Sequence, residues 1–291
     1  MPDAFYKYYG AEALKLTLAH TTRKWSSPSE FNDPFDNGID IQWVETPRDI
    51  ESGIKLEIQT LGESESANLT SLNPVMYILV QLYKGMNADM RQKMINGLDG
   101  VYSQEQLNEM YSKSNMMTNA VLSDISIFCI TESHDNLLMW SHYADNHKGG
   151  VVKLLPIKEV DSPLTLAQRV NYSATIPSLS FLSMLKNSVE FRREVISAIT
   201  LTKGKGWEYE KEWRIVSQLR DPRNKHEIIP FAKEEIDEVY LGCRISDENK
   251  NAIIDIVNMK YPWVSIYQAK QKRNEFSLIF EKINNPRERL S

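Results

Sequence analysis

Residues 207 to 216, WEYEKEWRIV, set Glu208, Glu210, Glu212 and Arg214 at every second position, and no other stretch constrains the fold as tightly. A period of two predicts a β-strand, with the charged set on one face and Tyr209, Trp213 and Ile215 on the other. Three carboxylates on one face repel. At least one of their pKa values then rises, unless Arg214 or a cationic ligand compensates. Carboxyls perturbed in this way within a cleft are frequent catalytic groups. Two plainer readings compete: a solvent-facing strand with cross-strand ion pairs, and an exposed helix in which Glu210 and Arg214 form an i,i+4 pair. The tryptophan and tyrosine content favours the strand.

Composition narrows the class. The chain has 291 residues, with 34 Lys plus Arg against 39 Asp plus Glu, a formal net charge of −5. That balance disfavours broad, sequence-independent binding along a phosphate backbone. With 42% hydrophobic residues there is material for a packed core, and the length allows one large domain or two ordinary ones. No stretch approaches the roughly 20 uncharged apolar residues that a membrane helix needs, and the amino terminus lacks the apolar segment of a secretory signal. The expectation is a cytoplasmic protein with no membrane partner. Cys129 and Cys243 each sit in apolar, strand-like sequence and read as small buried hydrophobes, which leaves structural zinc without ligands.

Local patterns give an α+β order. FYKYY (residues 5 to 9) suits a strand and EALKLTLAH a brief helix; the turn-rich segment from 26 to 38 precedes a return of alternation in IDIQWV. Residues of about 48–120 read as a helical insertion, with GESESANLTS (62 to 71) as its flexible connection. DISIFCIT (124 to 131) suits a central strand, DNLLMWSHYADNH a helix, and GGVVKLL a strand. Leu182, Leu185, Val189, Ile196 and Ile199 predict one amphipathic helix over 178 to 200. Then come strands in YEKEWRIV, HEIIPF and DEVYLGC, a helix from about 247 to 260 with Ser246 as its cap, and final strands in WVSIYQA and EFSLIFEKI. The domain reading is a single α+β domain over 1–285 carrying that insertion, with a short tail at 286–291.

Two further segments carry polar chemistry. In NLLMWSHYADNHKGG, helical spacing sets Trp140, Tyr143 and His147 near one face, with His142 and Asp145 displaced around the axis. Such a face suits a planar ligand, though an aromatic stripe at this spacing is more often core. His142 and His147 are five apart, not the i,i+4 spacing that sets two imidazoles on one metal, so no metal is expected. In FNDPFDNG, the residues Asn32, Asp33 and Asp36 suit a cap, a hydrogen-bonded loop or contacts to ribose hydroxyls, the structural roles being favoured. GxGxxG, GxxxxGK[ST], GxSxG and HExxH are all absent, so dehydrogenase, P-loop, α/β-hydrolase and zincin readings lose their usual support.

Taken in order, FYKYY, FNDPFD, a strand running into LLMWSHYADNHKGG, Lys203 and WEYEKEWR resemble an uncharacterised bacterial family known only as a domain of unknown function, over residues 5 to about 243 outside most of the helical insertion. The same order is more distantly similar to the ADP-ribosyltransferases. That resemblance implies a split mixed or antiparallel β-sheet core and NAD as substrate in its cleft. It also implies transfer of ADP-ribose to a protein, nucleic-acid or small-molecule acceptor, or cleavage of NAD, in a toxin or antiviral defence effector. On this likeness Glu212 is the catalytic carboxylate by the nicotinamide ribose, Glu210 the acceptor-side carboxylate, and Tyr143 or Trp140 the central aromatic. Tyr6, Lys7 and Tyr8 stand where that superfamily commonly has Arg or His followed by Ser or Thr. Asn32, Asp33, Trp140, His142 and Arg214 complete the expected NAD contacts, and the insertion would meet a protein partner. Two other classes stay open: a metal-independent nuclease or phosphate-ester hydrolase using Lys203, His142, Glu210 and Arg214, and a non-catalytic binding or regulatory module.

Overall fold

A computed structural model describes residues 1–36, 40–186, 188–221 and 223–283. The chain divides into two compact units. The first comprises Met1–Phe31, Asp124–Tyr172 and the described residues from Lys205 onward; the second comprises Asn32–Ser123 and Ser173–Gly204. The architecture is α+β.

The first unit is built on one mixed sheet. Its central strand, Ile125–Thr131, is the apolar run of the sequence, and Phe128 and Ile130 on it are buried in the main apolar core. Along one edge it pairs antiparallel with Glu212–Gln218 over seven residues, from Glu212 opposite Thr131 to Gln218 opposite Ile125. The other edge is shared. The first strand, Phe5–Tyr9, meets it at Tyr6 opposite Thr131, and the second, Thr22–Ser26, meets it at Ser26 opposite Ile127. The first strand then pairs fully with Gly150–Leu154, which continues the sheet into Ile236–Leu241. Ile236–Leu241 runs parallel to Ser265–Gln271 after the helix Asp247–Lys260, where Ser246 caps through the Asn249 amide at 3.3 Å. A hairpin to Leu278–Lys282 ends the described sheet.

The second unit is mostly helical. Helices Pro47–Glu63, Pro74–Gly85, Ala88–Asn96 and Gln104–Ser123 occupy the stretch expected to be helical. Ile50, Ile54 and Ile58, at i,i+4 spacing, face Met76, Tyr83, Leu107 and Phe181 in one core. The single helix expected over 178 to 200 is two, Phe181–Lys186 and Ser188–Thr200. Of its proposed stripe Ile199 is buried, whereas Val189 and Ile196 are exposed; the side chain of Leu185 and the tail at 286–291 lie outside the described residues. Leu182 packs on the core of this unit, so the stripe is broken where the helix is interrupted, and only part of it meets that core.

The acidic segment departs from the expected strand. Lys205–Glu210 is a 3-10 helix, and the strand begins only at Glu212. Lys211 stands between them at φ 46°, in the left-handed region. This reversal breaks the alternation, leaving Glu208 exposed while Glu210, Glu212 and Arg214 are buried. The solvated-face and exposed-helix readings both fail for the same reason.

Candidate functional site

The site begins at the left-handed Lys211. Its amide bonds back to the Glu208 carbonyl at 3.3 Å, and its carbonyl accepts from the Glu132 amide at 3.4 Å, so the 3-10 helix and the strand start are pinned to the end of the central strand. The Thr131 hydroxyl reinforces this by donating to the Glu210 carbonyl. Glu210 is therefore delivered, 3% exposed, beneath the helix Leu137–Tyr143. That helix is held in place from the same loop: Asn136 caps it through the amides of Leu138 and Met139 and donates from Nδ2 to the Tyr209 carbonyl at 3.2 Å. Tyr143 at its last turn donates its phenolic hydrogen to Glu210 Oε1 at 2.6 Å. A short bond of this kind to a carboxylate is charge-assisted.

Glu212 is held differently. Being two apart on a strand, Glu212 and Arg214 share a face, and the guanidinium grips both carboxylate oxygens, Nε to Oε1 at 2.8 Å and Nη2 to Oε2 at 3.1 Å. Both are buried, at 5% and 1% exposure, and the guanidinium lies 5.3 Å from the Phe31 ring. The Glu212 amide donates to the Tyr172 hydroxyl at 2.8 Å. Cys129 stands opposite Arg214 across the ladder. Burial, followed by the Glu212 carboxylate beside it, pushes its thiol well above the usual range, so Cys129 is a protonated donor and not a thiolate nucleophile. Lys7 donates to the Cys129 carbonyl at 2.7 Å and lies 5.2 Å from the Phe128 ring.

With that geometry in view, a comparison against known families adds one finding. Residues 139–215 match a family described as protein of unknown function (DUF2971). The match runs from the aromatic helix to the acidic strand and so contains both partners of the Tyr143–Glu210 bond. No curated protein and no solved structure matches the chain.

Within the DUF2971 segment, Trp140 corrects a ligand-stacking expectation. Its ring is wholly buried, edge-on to Tyr8 at 5.6 Å and stacked on His147 at 5.9 Å, with Nε1 donating to the His134 carbonyl. It has no open face, because the stripe it belongs to meets the sheet. Tyr8, 5% exposed, is likewise core, and burial raises its phenol pKa. Tyr6 lies partly exposed on the same sheet face as Tyr8, against His134 at 5.0 Å. His142 is exposed and edge-on to Trp207 at 6.4 Å, and Trp207 is followed at 6.1 Å by Tyr209. The site is thus a buried carboxylate–phenol pair rimmed by His142, Trp207 and Tyr209.

Asn32 and Asp33 belong to the second unit, where Asp33, 5% exposed, accepts from the Phe35 amide at 2.9 Å. That is the loop-holding role favoured by turn chemistry. Lys203 is in this unit too, 3.6 Å from Asp36. Among the described residues no group of three or more His, Cys, Asp and Glu side chains is placed to hold a metal. Also among them, no helix is long and apolar enough to cross a membrane. Sequence reasoning missed Thr131, Asn136, Cys129 and Trp207 as parts of the site. Only Asn136 carried a local signal, as an Asn directly before a helical run.

Proposed function

We propose that the protein is a cytoplasmic ADP-ribosyltransferase-like enzyme that binds NAD and transfers ADP-ribose, or cleaves NAD, as a toxin or antiviral effector does. The observation that carries this reading is the buried Glu210 carboxylate held by Tyr143 at the rim of an aromatic cluster. Support also comes from the shared edge of the central strand, which pairs with the first strand at Tyr6 opposite Thr131 and with the second at Ser26 opposite Ile127.

The chemistry assigns separate tasks to the two glutamates. The bond between ribose C1′ and the nicotinamide nitrogen breaks with its electron pair leaving on nicotinamide, and positive charge develops at C1′ and the ring oxygen. A carboxylate in a water-poor site stabilises that charge. Glu212 is gripped at both oxygens by Arg214, whereas Glu210 accepts from the Tyr143 phenol beside the aromatic rim. In this reading Glu210 is the catalytic carboxylate, because the Tyr143 bond orients it beside His142, Trp207 and Tyr209. The Glu212–Arg214 pair fixes the strand start that presents Glu210. A nucleophile on the acceptor, or water, then forms the new bond to C1′ and loses its proton. Trp207, Tyr209 and His142 give nicotinamide an aromatic surface.

Nicotinamide release from NAD, together with a thermal shift on adding NAD, tests the reading. Glu210→Gln should abolish release with the fold retained, while Glu212→Gln should lower it chiefly through lost stability. Wild-type protein that is fully folded yet neither binds NAD nor releases nicotinamide overturns it.

A further inference from the structure

A cavity in the first unit has a composition at odds with the chain as a whole. Its volume is about 720 Å³, and Leu137 and Ser141 of the aromatic helix, His147, Arg244 and the hairpin residues Arg273 and Leu278 are among its walls. That volume falls within the range usual for small-molecule sites.

The walls are fixed by backbone, not by side-chain chance. Asp145, Asn146 and His147 all have positive φ, at 49°, 53° and 67°. Three successive left-handed non-glycine residues are costly and persist only where surrounding structure over-determines them. Here the Arg244 amide bonds the His147 carbonyl at 3.0 Å, and the Gly242 amide bonds the Gly149 carbonyl at 2.9 Å. A Cβ at Gly242 would come within 2.1 Å of the His147 carbonyl oxygen, so only glycine admits this approach. The imidazole is packed flat against Trp140, with Nε2 3.3 Å from the Ser141 hydroxyl. Ser141 donates its own proton to the Leu137 carbonyl at 3.0 Å, so His147 Nε2 carries the hydrogen of that pair. Burial, then the nearby Arg244, depress the His147 pKa, which keeps the ring neutral.

Charge at this cavity runs opposite to the net −5 of the chain. Lys272 is paired with Glu275 at 2.7 Å. Arg244 and Arg273 have no acidic partner among the described residues. Two uncompensated guanidiniums beside a formed cavity are matched to carboxylate or phosphate oxygens, which they bind through paired donors. Phe276, fully exposed on the same hairpin loop, and Leu137 and Leu278 offer an apolar surface for the body of such a molecule.

We infer that this cavity binds an organic anion of about nucleotide size, its phosphate or carboxylate held by Arg244 and Arg273 and its body against Leu137, Leu278 and Phe276. The site is separate from Glu210, and the inference does not depend on the transfer reaction.

Isothermal titration of the full chain with AMP, citrate and adenosine tests it. Saturable binding of AMP or of citrate is expected, the one that binds telling phosphate from carboxylate recognition, with adenosine at least tenfold weaker. The double variant Arg244→Gln, Arg273→Gln, both at exposed positions, should keep the wild-type melting temperature and lose that binding at least tenfold. Glu210→Gln should retain it. The inference is overturned if neither anion binds, if adenosine binds equally well, or if the double variant binds as wild type. It also falls if Glu210→Gln removes AMP binding while the double variant keeps it, because that result places the nucleotide at the transfer site. Loss of nicotinamide release with anion binding intact would instead count against the proposed enzyme alone.

Discussion

Tyr143 and Glu210, 67 residues apart in sequence, are joined by a 2.6 Å hydrogen bond from the phenol to a carboxylate that is 3% exposed. A buried carboxylate that loses such a donor keeps its desolvation cost without the compensating bond. Tyr143→Phe should therefore destabilise the protein by about 1.5–3 kcal/mol, the range for hydrogen bonds to charged groups. Urea denaturation measures this. A Tyr143→Phe protein as stable as wild type would show that the bond does not hold the site together.

The Glu212–Arg214 pair makes a sharper prediction, since both members are almost fully buried. Arg214→Met takes the two-point contact from a buried carboxylate, and removing one partner of a buried pair costs about 3–5 kcal/mol. Replacing both, as Glu212→Leu with Arg214→Met, should recover most of that loss, because the desolvation penalty disappears with the charges. Arg214→Lys should fall between, as an ammonium cannot reproduce the two-point contact. The three denaturation midpoints give the order directly, and an Arg214→Met protein more stable than the double variant contradicts it.

Backbone strain at Lys211 predicts an order of substitutions. At φ 46°, glycine pays no Cβ penalty, asparagine little, and a β-branched residue the most. Stability should run Gly, Asn, Lys, Val from highest to lowest, with Lys211→Gly gaining up to about 1 kcal/mol. Melting temperatures at fixed pH check the series. Glu210 geometry depends on this reversal, so under the proposed activity Lys211→Val should also impair nicotinamide release.

His134 and His147 give a pH dependence of defined sign. Burial lowers both pKa values, opposed at His134 by Asp135 and Glu238 and aided at His147 by Arg244. Below the unfolded histidine value of about 6.5, the unfolded chain binds protons that the folded chain does not. Stability should thus be fully present above about pH 6.5 and decline as pH falls from there toward the folded values. Denaturation midpoints at pH 7.5, 6.5 and 5.5 follow the decline, and His134→Gln with His147→Gln should flatten it. A midpoint unchanged by that pair of substitutions shows that other groups set the acid limb.

The elements were largely legible in the sequence where the pattern is local. The apolar run from 124 to 131 becomes the central strand Ile125–Thr131, and Ser246 followed by Asp247 and Glu248 becomes the capped start of Asp247–Lys260. Both rest on residues within one turn or one strand of each other. The segment 207 to 216 misled because its period of two is real in sequence yet interrupted in space by a single left-handed residue, which no local propensity announces for a lysine. Trp140 misled for a related reason: helical spacing shows which residues share a face, and says nothing of whether that face meets a ligand or a sheet.

By itself, then, the sequence determined an α+β chain and most of the order of its strands and helices. Only the tertiary structure decided that Glu210 meets Tyr143, that Arg214 grips Glu212, that Trp140 is core and that Arg244 and Arg273 face one cavity. Periodicity is fixed by a few neighbouring residues, whereas burial and charge pairing depend on segments that come together only when the long loops between them close.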